Sequence, residues 1–343
     1  MQGSSSTMEN DQDVDDDAGM VDVNEVPRFG VARLTTTLGE TARAFSDLYD
    51  QHELIYQAAS VRLFKCTRRG EPSADGAPRA YVVKKFVQPW RPAGDNGPFM
   101  NEVARKRVAR EVEIMNELTL RPDLFAEVQE VFVTRYMISI VLTKYDQDLH
   151  ALAVQKQAAG GSFDDSEVRT VAQRMLAALA YLHDSLGVAH RDLKHQNVFL
   201  KRAGDVGTAV LGDLGHARSL NTQEQASTHG ANLGTRDFNP PEMRLGAPGP
   251  HTRRVDIYQL GALLYLLVFG IGTYALNDLV DVLRHRAFFT HPPAIAAWNA
   301  AAAAGGAAGA ARAACLRRML ANQPLDRGSA RDNLADPWVA GAV

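Results

Sequence analysis

The chain has 343 residues, of which 45% are hydrophobic and 22% are charged, and its formal net charge is −3 at pH 7. This composition is ordinary for a globular protein that buries a sizeable core. Its only cysteines, Cys66 and Cys315, exclude a disulfide scaffold and a multi-cysteine zinc site and favour a reducing compartment. With no signal peptide or lipidation motif visible, we expect an intracellular protein, either cytoplasmic or nuclear.

Two stretches resemble membrane or nucleic-acid segments only superficially. The apolar run 260–272 is as long as a buried core helix and shorter than the ~18–20 residues that cross a bilayer. The basic cluster Arg105, Lys106, Arg107 and Arg110 lies on a helix-like stretch, where a solvated face is the simpler interpretation. We therefore predict neither a membrane nor a nucleic acid as a partner.

The first part of the chain is predicted to be an acidic tail followed by a small sheet. Residues 1–27 are rich in Ser and Asp and poor in apolar residues, so they are expected to stay disordered, with a regulatory docking tail as the alternative. A helix is predicted over 102–115 from the apolar stripe Val108, Val112 and Met115. Alternating apolar residues predict five strands, near 54–56, 60–66, 80–86, 128–134 and 137–143.

The most informative stretch is residues 189–200, with the sequence A-H-R-D-L-K-H-Q-N-V-F-L. It follows a segment of helical periodicity, 168–185, and places an acid (Asp192), a lysine (Lys194) and an amide (Asn197) close together. Phosphoryl transfer from ATP needs such a set. A carboxylate orients the attacking hydroxyl and accepts its proton, a cation balances charge on the moving phosphoryl group, and a neutral oxygen helps to hold Mg²⁺.

This stretch fits the catalytic loop of protein kinases, H-R-D-L-x-x-x-N, at every fixed position, and the chain resembles that family from about residue 54 to residue 339. Residues 81–84 are similar to the strand motif V-A-I-K, and Asp213-Leu214-Gly215 takes the place of D-F-G. Residues 234–242 resemble the end of the kinase activation segment. Residues 255–261 resemble the start of the central helix of the large lobe.

The resemblance implies the α+β class and a bilobal protein kinase fold. A small antiparallel β-sheet lobe with one helix would occupy residues 28–145, and a larger, mainly helical lobe would occupy residues 146–343. Residues 294–314 form an Ala/Gly-rich insertion in the second lobe. Alanine favours helix, but Gly305, Gly306 and Gly309 interrupt the run, so a mobile surface segment is expected there.

The resemblance also implies roles for the residues of the catalytic loop and of the D-F-G-like tripeptide. Asp192 would be the catalytic base and Lys194 its charge partner at the transferred phosphoryl group. Asn197 and Asp213 would hold Mg²⁺. Gly215 would give the backbone after Asp213 the freedom to move.

The strand lysine is chosen by its register in the V-A-I-K-like motif. Lys84 matches the lysine that binds the ATP α- and β-phosphates and pairs with a glutamate of the following helix. Because side chains alternate along a strand, Lys85 should point to the other face of the sheet. Glu111 is the preferred partner for Lys84, with Glu113 as the rival.

Further residues are implied by the resemblance alone. Nucleotide contacts are expected at Leu63, Val82, Leu142, Thr143, Tyr145, Asp148 and Phe199. The loop and the activation segment would be held by His190, Arg191, Thr235, Glu242, Asp256 and Arg327. Among these, Thr235 would bond to the Asp192 and Lys194 side chains, Glu242 would pair with Arg327, and Asp256 would accept loop N–H groups. Regulatory phosphorylation would fall on Thr222, Ser227 or Thr228 and pair with Arg191.

One motif of the family fails in this sequence. The three positions of the glycine-rich loop hold Tyr56, Ala58 and Val61, whose side chains should hold the loop away from the phosphates, and Val82 narrows the adenine pocket. Two hypotheses follow. The first is a serine/threonine kinase that uses ATP and Mg²⁺ on protein substrates, as Lys194 favours. The second is a catalytically weak pseudokinase that acts as a scaffold or allosteric partner; a regulatory partner is not identified by the sequence.

Overall fold

The computed structural model divides the chain into two units. One comprises Met1–Ala109 and Gln129–Leu142, and the other comprises Arg110–Val128 and Thr143–Val343. The first contains a sheet and the second is mainly helical, so the predicted α+β class is confirmed. The structure describes residues 45–57, 61–71, 79–87, 113–133, 137–219, 235–243, 252–269 and 292–343. The predictions for the tail 1–27 and for Ala58, Glu111, Thr222, Ser227 and Thr228 lie outside these residues.

The sheet of the first unit contains the five predicted strands, which are β1 Tyr49–Gln57, β2 Val61–Arg68, β3 Ala80–Val87, β4 Val128–Val133 and β5 Met137–Thr143. Their order in the sheet is β1-β2-β3-β5-β4. Strand β2 pairs antiparallel with both β1 and β3, and Leu63 lies opposite Lys84. Lys85 lies over the rings of Phe45 and Phe64, so the two lysines point to opposite faces of β3 as expected.

A short helix, α1 (Phe45–Leu48), covers one face of this sheet with aromatic side chains. The Phe45 ring stacks on Tyr49 at 5.3 Å and meets Phe132 edge-on at 5.7 Å. Tyr49 in turn packs edge-on against Tyr81 of β3 at 5.8 Å. Such pairs stabilise a core beyond the area they bury. This cluster fixes β3 from one side, so Lys84 is presented on the opposite face.

The second unit is built around two long helices and short strands. The described helices of this unit are α2 (113–118), α3 Leu149–Ala158, α4 Asp165–Ala180, α5 Arg254–Phe269, α6 Pro292–Ala304, α7 Gly306–Met319 and α8 Ala330–Leu334. The described strands of this unit are β6 Gln147–Asp148, β7 Val188–Ala189, β8 Val198–Leu200, β9 Ala209–Leu211 and β10 Arg218–Ser219. Helix α4 begins at a capping box between Asp164 and Glu167 and runs into a π-helical turn, Tyr181–Ser185.

Residues 260–269 of the apolar run lie in helix α5, which is buried on nearly all sides within the second unit. This is the buried core helix that its length predicts. Among the helices of the described residues, none combines the length and the apolar content that crossing a membrane requires.

Helices α6 and α7 occupy most of the Ala/Gly-rich insertion, although its glycines were expected to interrupt helix there. The two helices meet at Gly305. A Cβ on Gly309 of α7 would lie 2.8 Å from the carbonyl oxygen of Ala302 in α6, so this glycine allows the two helices to approach closely. Gly306 adopts a φ of 55°, which L side chains rarely adopt. The glycines therefore form the turn between the two helices and do not disrupt either helix.

Candidate active site

The loop that contains Asp192, Lys194 and Asn197 lies between two short strands of the second unit. It leaves β7, passes through a 3-10 turn at His195–Asn197 and enters β8. Strand β8 pairs with β6 on one side and with β9 on the other. The loop is thus fixed at both ends. Asp192 is only 3% exposed, although it is charged.

The carboxylate of Asp192 accepts hydrogen bonds from Thr235, Lys194 and Asn197, whose Nδ2 lies 3.2 Å from Asp192 Oδ2. Oδ1 accepts hydrogen bonds from the Thr235 backbone nitrogen at 2.8 Å and from the Thr235 hydroxyl at 3.0 Å. Oδ2 accepts from Lys194 Nζ at 2.9 Å, and Lys194 Nζ also donates to Thr235 Oγ1 at 2.9 Å. The contacts that the resemblance implies for Thr235 are therefore present, although Thr235 lies 43 residues further along the chain.

These contacts determine whether the Asp192 carboxyl group is ionised. Burial alone would raise the pKa of its carboxyl, but hydrogen bonding and charge from Lys194, with smaller contributions from His216 and Thr235, outweigh burial and lower the pKa below its ordinary value. Asp192 is therefore an ionised, oriented acceptor at neutral pH.

Asn197 and Asp213 are brought together through the backbone. Asn197 Nδ2 donates to the Asp192 carbonyl at 2.7 Å, so the amide oxygen of Asn197 points in another direction. The Gly212 nitrogen donates to the Asn197 carbonyl at 2.9 Å, which places Asp213, the next residue, beside it. Asp213 is exposed and adopts a φ of 54°, a conformation that turns the chain sharply. Both side chains offer the hard oxygen atoms that Mg²⁺ prefers.

Gly212 is a site residue that the sequence did not single out. Its carbonyl accepts a hydrogen bond from His190 Nε2 at 2.9 Å, while His190 Nδ1 accepts from the Asp192 nitrogen at 3.3 Å. A Cβ on Gly212 would lie 2.5 Å from Cε2 of Phe199. Only glycine fits at this position, where it contacts both His190 and Phe199. The need for glycine comes from how closely Phe199 approaches residue 212, and a sequence alone does not show such a contact.

Asp256 anchors the loop from the first turn of α5. Its Oδ1 accepts the Arg191 N–H at 2.7 Å, and its Oδ2 accepts the His190 N–H at 2.9 Å and His183 Nε2 at 2.7 Å. The carboxylate is fully buried, which would raise its pKa, but the hydrogen bond and charge of His183 and the contacts with the loop lower it. The loop N–H contacts are those expected; His183 is an additional partner.

The pair of Glu242 and Arg327 is also present, with N–O distances of 2.5 and 2.9 Å. Arg327 is completely buried and donates further hydrogen bonds to the carbonyls of Ala321 and Asn322. Its guanidinium lies over the Tyr258 ring at 4.9 Å. This pair ties the segment after Thr235 to the C-terminal part of the unit and touches none of the groups around Asp192 that are described above.

The expected nucleotide residues are distributed between the two units. In the second unit, the Tyr145 ring stacks on Phe199 at 5.6 Å. The Thr143 nitrogen donates to the Glu127 carbonyl at 3.0 Å. Asp148 caps helix α3 by accepting the Ala151 N–H at 2.7 Å through Oδ1.

In the first unit, four expected residues share the sheet face opposite the aromatic cluster. Val82 and Lys84 lie two residues apart on β3, Leu63 is directly across from Lys84, and Leu142 alternates with Val141, which belongs to the cluster. Lys84 is only 8% exposed, and an ammonium group buried to this degree needs polar or charged partners. The rival partner Glu113 lies in α2 and is exposed.

The chain is similar to known protein kinases. A family model described as "Protein kinase domain" matches residues 81–339. A probable myosin light chain kinase of Dictyostelium discoideum is 25% identical over 286 residues, which cover 81% of this chain and 72% of that protein. The CTD kinase subunit alpha of Schizosaccharomyces pombe is 29% identical over 55% of this chain and 30% of its own length. Sperm motility kinase Z of Mus musculus is 33% identical over 50% of this chain and 32% of its own length. The chain thus spans less than a third of the latter two relatives.

Proposed function

The chain belongs to the protein kinase family, and on that premise we propose that it is an active serine/threonine kinase that transfers the γ-phosphoryl group of ATP to protein hydroxyls. The observation that carries the proposal is the arrangement of Asp192, Lys194 and Thr235, in which all three side chains bond to one another within 2.9–3.0 Å. An ionised carboxylate and a cation held together in this way are the groups that the reaction needs.

Asp192 is the residue that acts on the protein substrate. Its lowered pKa keeps the carboxylate ionised at neutral pH, so it can orient the substrate hydroxyl and accept its proton. Lys194 is within 2.9 Å of Asp192 and places its ammonium where charge on the transferred phosphoryl group is balanced. Thr235 keeps both side chains in place. Thr235 and Lys194 resemble the pattern of serine/threonine kinases, so we assign serine and threonine hydroxyls as the substrates in preference to tyrosine.

The residues present also fit ATP and Mg²⁺. The amide oxygen of Asn197 and the carboxylate of Asp213 are the metal ligands that we assign, because both are hard oxygen donors and the bond from the Gly212 N–H to the Asn197 carbonyl keeps their backbone segments adjacent. Mg²⁺, when bound, neutralises charge on the β- and γ-phosphates. Lys84 is the cation that we assign to the α- and β-phosphates, and the stacked rings of Tyr145 and Phe199 provide an apolar surface for adenine.

A second candidate, a pseudokinase that acts as a scaffold, is favoured by one observation. Strand β1 pairs with β2 through two register shifts, between Gln51 and Leu54 and between Leu54 and Tyr56. Tyr56 occupies a glycine position and is 56% exposed. A strand that is irregular and carries side chains where backbone should approach phosphates would bind ATP weakly.

The two candidates are separated by incubating the protein with ATP·Mg²⁺ and a basic substrate protein and then measuring the intact mass of both proteins. An active kinase adds phosphate to serine or threonine of the substrate, and omission of Mg²⁺ abolishes the addition. A scaffold leaves both masses unchanged although nucleotide binding is detected. Phosphotyrosine as the main product would contradict the assigned specificity.

A further inference from the structure

Gln259 of helix α5 is fully buried and contacts the peptide groups on both sides of Asp192. Its Oε1 accepts the Leu193 N–H at 3.0 Å, and its Nε2 donates to the Arg191 carbonyl at 3.1 Å. Gln259 lies three residues after Asp256, so the two side chains share one face of α5. The partners fix the orientation of the amide, because a backbone N–H needs an oxygen and a carbonyl needs a donor.

Together, Asp256 and Gln259 hold a strained peptide unit. Arg191 adopts a φ of 71°, a conformation that residues other than glycine rarely adopt. Asp256 binds its N–H and Gln259 binds its C=O, so both polar backbone groups of Arg191 are engaged by side chains of α5. A strained conformation persists only where its surroundings over-determine it. Without Gln259, Asp256 still binds the Arg191 N–H, but the hydrogen bond from Gln259 Nε2 to the Arg191 carbonyl is lost.

Gln259 also reaches the segment that grips the Asp192 carboxylate. Its Nε2 donates to Asn239 Oδ1 at 3.2 Å. Asn239 follows the 3-10 turn Arg236–Phe238, in which the Phe238 nitrogen donates to the Thr235 carbonyl at 3.0 Å. One buried amide therefore contacts the backbone around Asp192 and the segment that begins with Thr235, the residue bonded to Asp192 Oδ1.

We propose that Gln259 is a positioning residue that sets the orientation of the catalytic carboxylate of Asp192. It does so by fixing the peptides before and after Asp192 and by holding the Thr235 segment against them. This inference rests on the proposed kinase activity, because it names a residue that acts on the assigned base. Gln259 touches the base only through the backbone, so its removal should change catalysis more than nucleotide binding.

The test is Gln259→Met, which keeps the length of the side chain and removes its hydrogen bonds. We expect kcat to fall ~10–100-fold, since small displacements of a catalytic group cost about that much, with KM for ATP within ~2-fold. Initial rates as a function of ATP concentration measure kcat and KM separately, and this split distinguishes a displaced base from weakened nucleotide binding.

Two further variants separate positioning from general destabilisation. Leu264→Ala removes buried side-chain volume from the same helix and should lower Tm while kcat stays within ~2-fold. The double variant Gln259→Met/Asn239→Leu replaces both partners of the Gln259–Asn239 hydrogen bond with apolar side chains, so part of the lost Tm should return while kcat stays low. Recovery of kcat in parallel with Tm, or an unchanged kcat in Gln259→Met, would overturn the proposal.

Amide hydrogen exchange of Leu193 gives a readout that needs no activity. Its N–H is bound by Gln259, so exchange should accelerate at least ~10-fold in Gln259→Met and stay unchanged in Leu264→Ala. If the wild type does not transfer phosphate but Leu193 exchange accelerates, the kinase proposal fails and the contact with Gln259 stands. If Leu193 exchange is the same in wild type and Gln259→Met, the positioning role is wrong whether or not the protein is active.

Discussion

The catalytic loop and strand β1 are both expected to serve ATP, yet they are built in opposite ways. Around Asp192, a buried carboxylate, a lysine, a threonine and two side chains of α5 hold the loop through hydrogen bonds of 2.7–3.1 Å. Beyond Tyr49, the residues of β1 are exposed, and the strand carries two register shifts.

This difference shows where the sequence departs from the family pattern. At the loop, the Asp192 carboxylate and the backbone groups on both sides of it bond to Thr235, Asp256 and Gln259, which lie far along the chain, so a substitution at one of these partners would leave a buried group unpaired. On β1, Tyr56 projects into solvent, so nothing in the packing requires a glycine. We infer that the loss of glycines affects nucleotide affinity and leaves the chemistry of the loop intact.

The largest expected effect is at the loop. Asp192→Asn should lower the phosphoryl-transfer rate ~10²–10⁴-fold, because an amide cannot accept the substrate proton, while Tm and nucleotide affinity change little. Single-turnover rates, thermal unfolding and nucleotide titration measure the three quantities. Asp205→Asn, in an exposed turn of the same unit, is the matched control. An unchanged transfer rate in Asp192→Asn would show that the base is misassigned.

The sequence predicted this loop because its spacing is short and its residue types are constrained by chemistry. The partners Thr235, Asp256 and Arg327 followed from resemblance, since each belongs to a motif with a fixed place in the family. Gln259 and Gly212 did not, because their importance arises from what lies opposite them in three dimensions. Composition misled at residues 294–314, where glycines were interpreted as helix breakers although close helix packing uses them.

The buried pair of Glu242 and Arg327 provides the next largest effect. Arg327→Ala should lower the free energy of unfolding by ~3–5 kcal/mol, because it leaves Glu242 without its partner. The exposed pair of Arg331 and Asp184 is the control, and Arg331→Ala should cost at most ~1 kcal/mol. Urea unfolding measures both. Equal losses in the two variants would mean that burial does not govern these ion pairs.

Restoring glycines sharpens the comparison from the other side. Ala58→Gly/Val61→Gly should tighten ATP binding or raise turnover about tenfold, because one recovered N–H bond to a charged phosphate contributes at least ~1.5 kcal/mol. The stability loss should be ~1 kcal/mol. Adenosine, ADP and ATP are titrated against both proteins. An equal gain for adenosine, which has no phosphate, would show that the β1–β2 turn is not the weak point.

The smallest expected effect concerns regulation at Arg191. Burial and the charge of Arg218 lower the pKa of Arg191 to about 10, so an added phosphate would be favoured beside these two cations. We expect phosphate on Ser227 or Thr228, or else on Thr222, in the active protein, and a several-fold loss of rate after phosphatase treatment. Mass spectrometry that finds all three unmodified in fully active protein would remove this form of control.

The most direct test of the account is the initial rate of phosphoryl transfer by the wild-type protein as a function of ATP concentration at excess Mg²⁺. Saturation removes the influence of a weak β1–β2 turn, so the plateau reports the catalytic loop alone. An intact loop with a poor turn predicts a measurable plateau that is reached only at high ATP concentration. Absence of transfer at every concentration, with nucleotide bound, would contradict it and leave the scaffold as the remaining function.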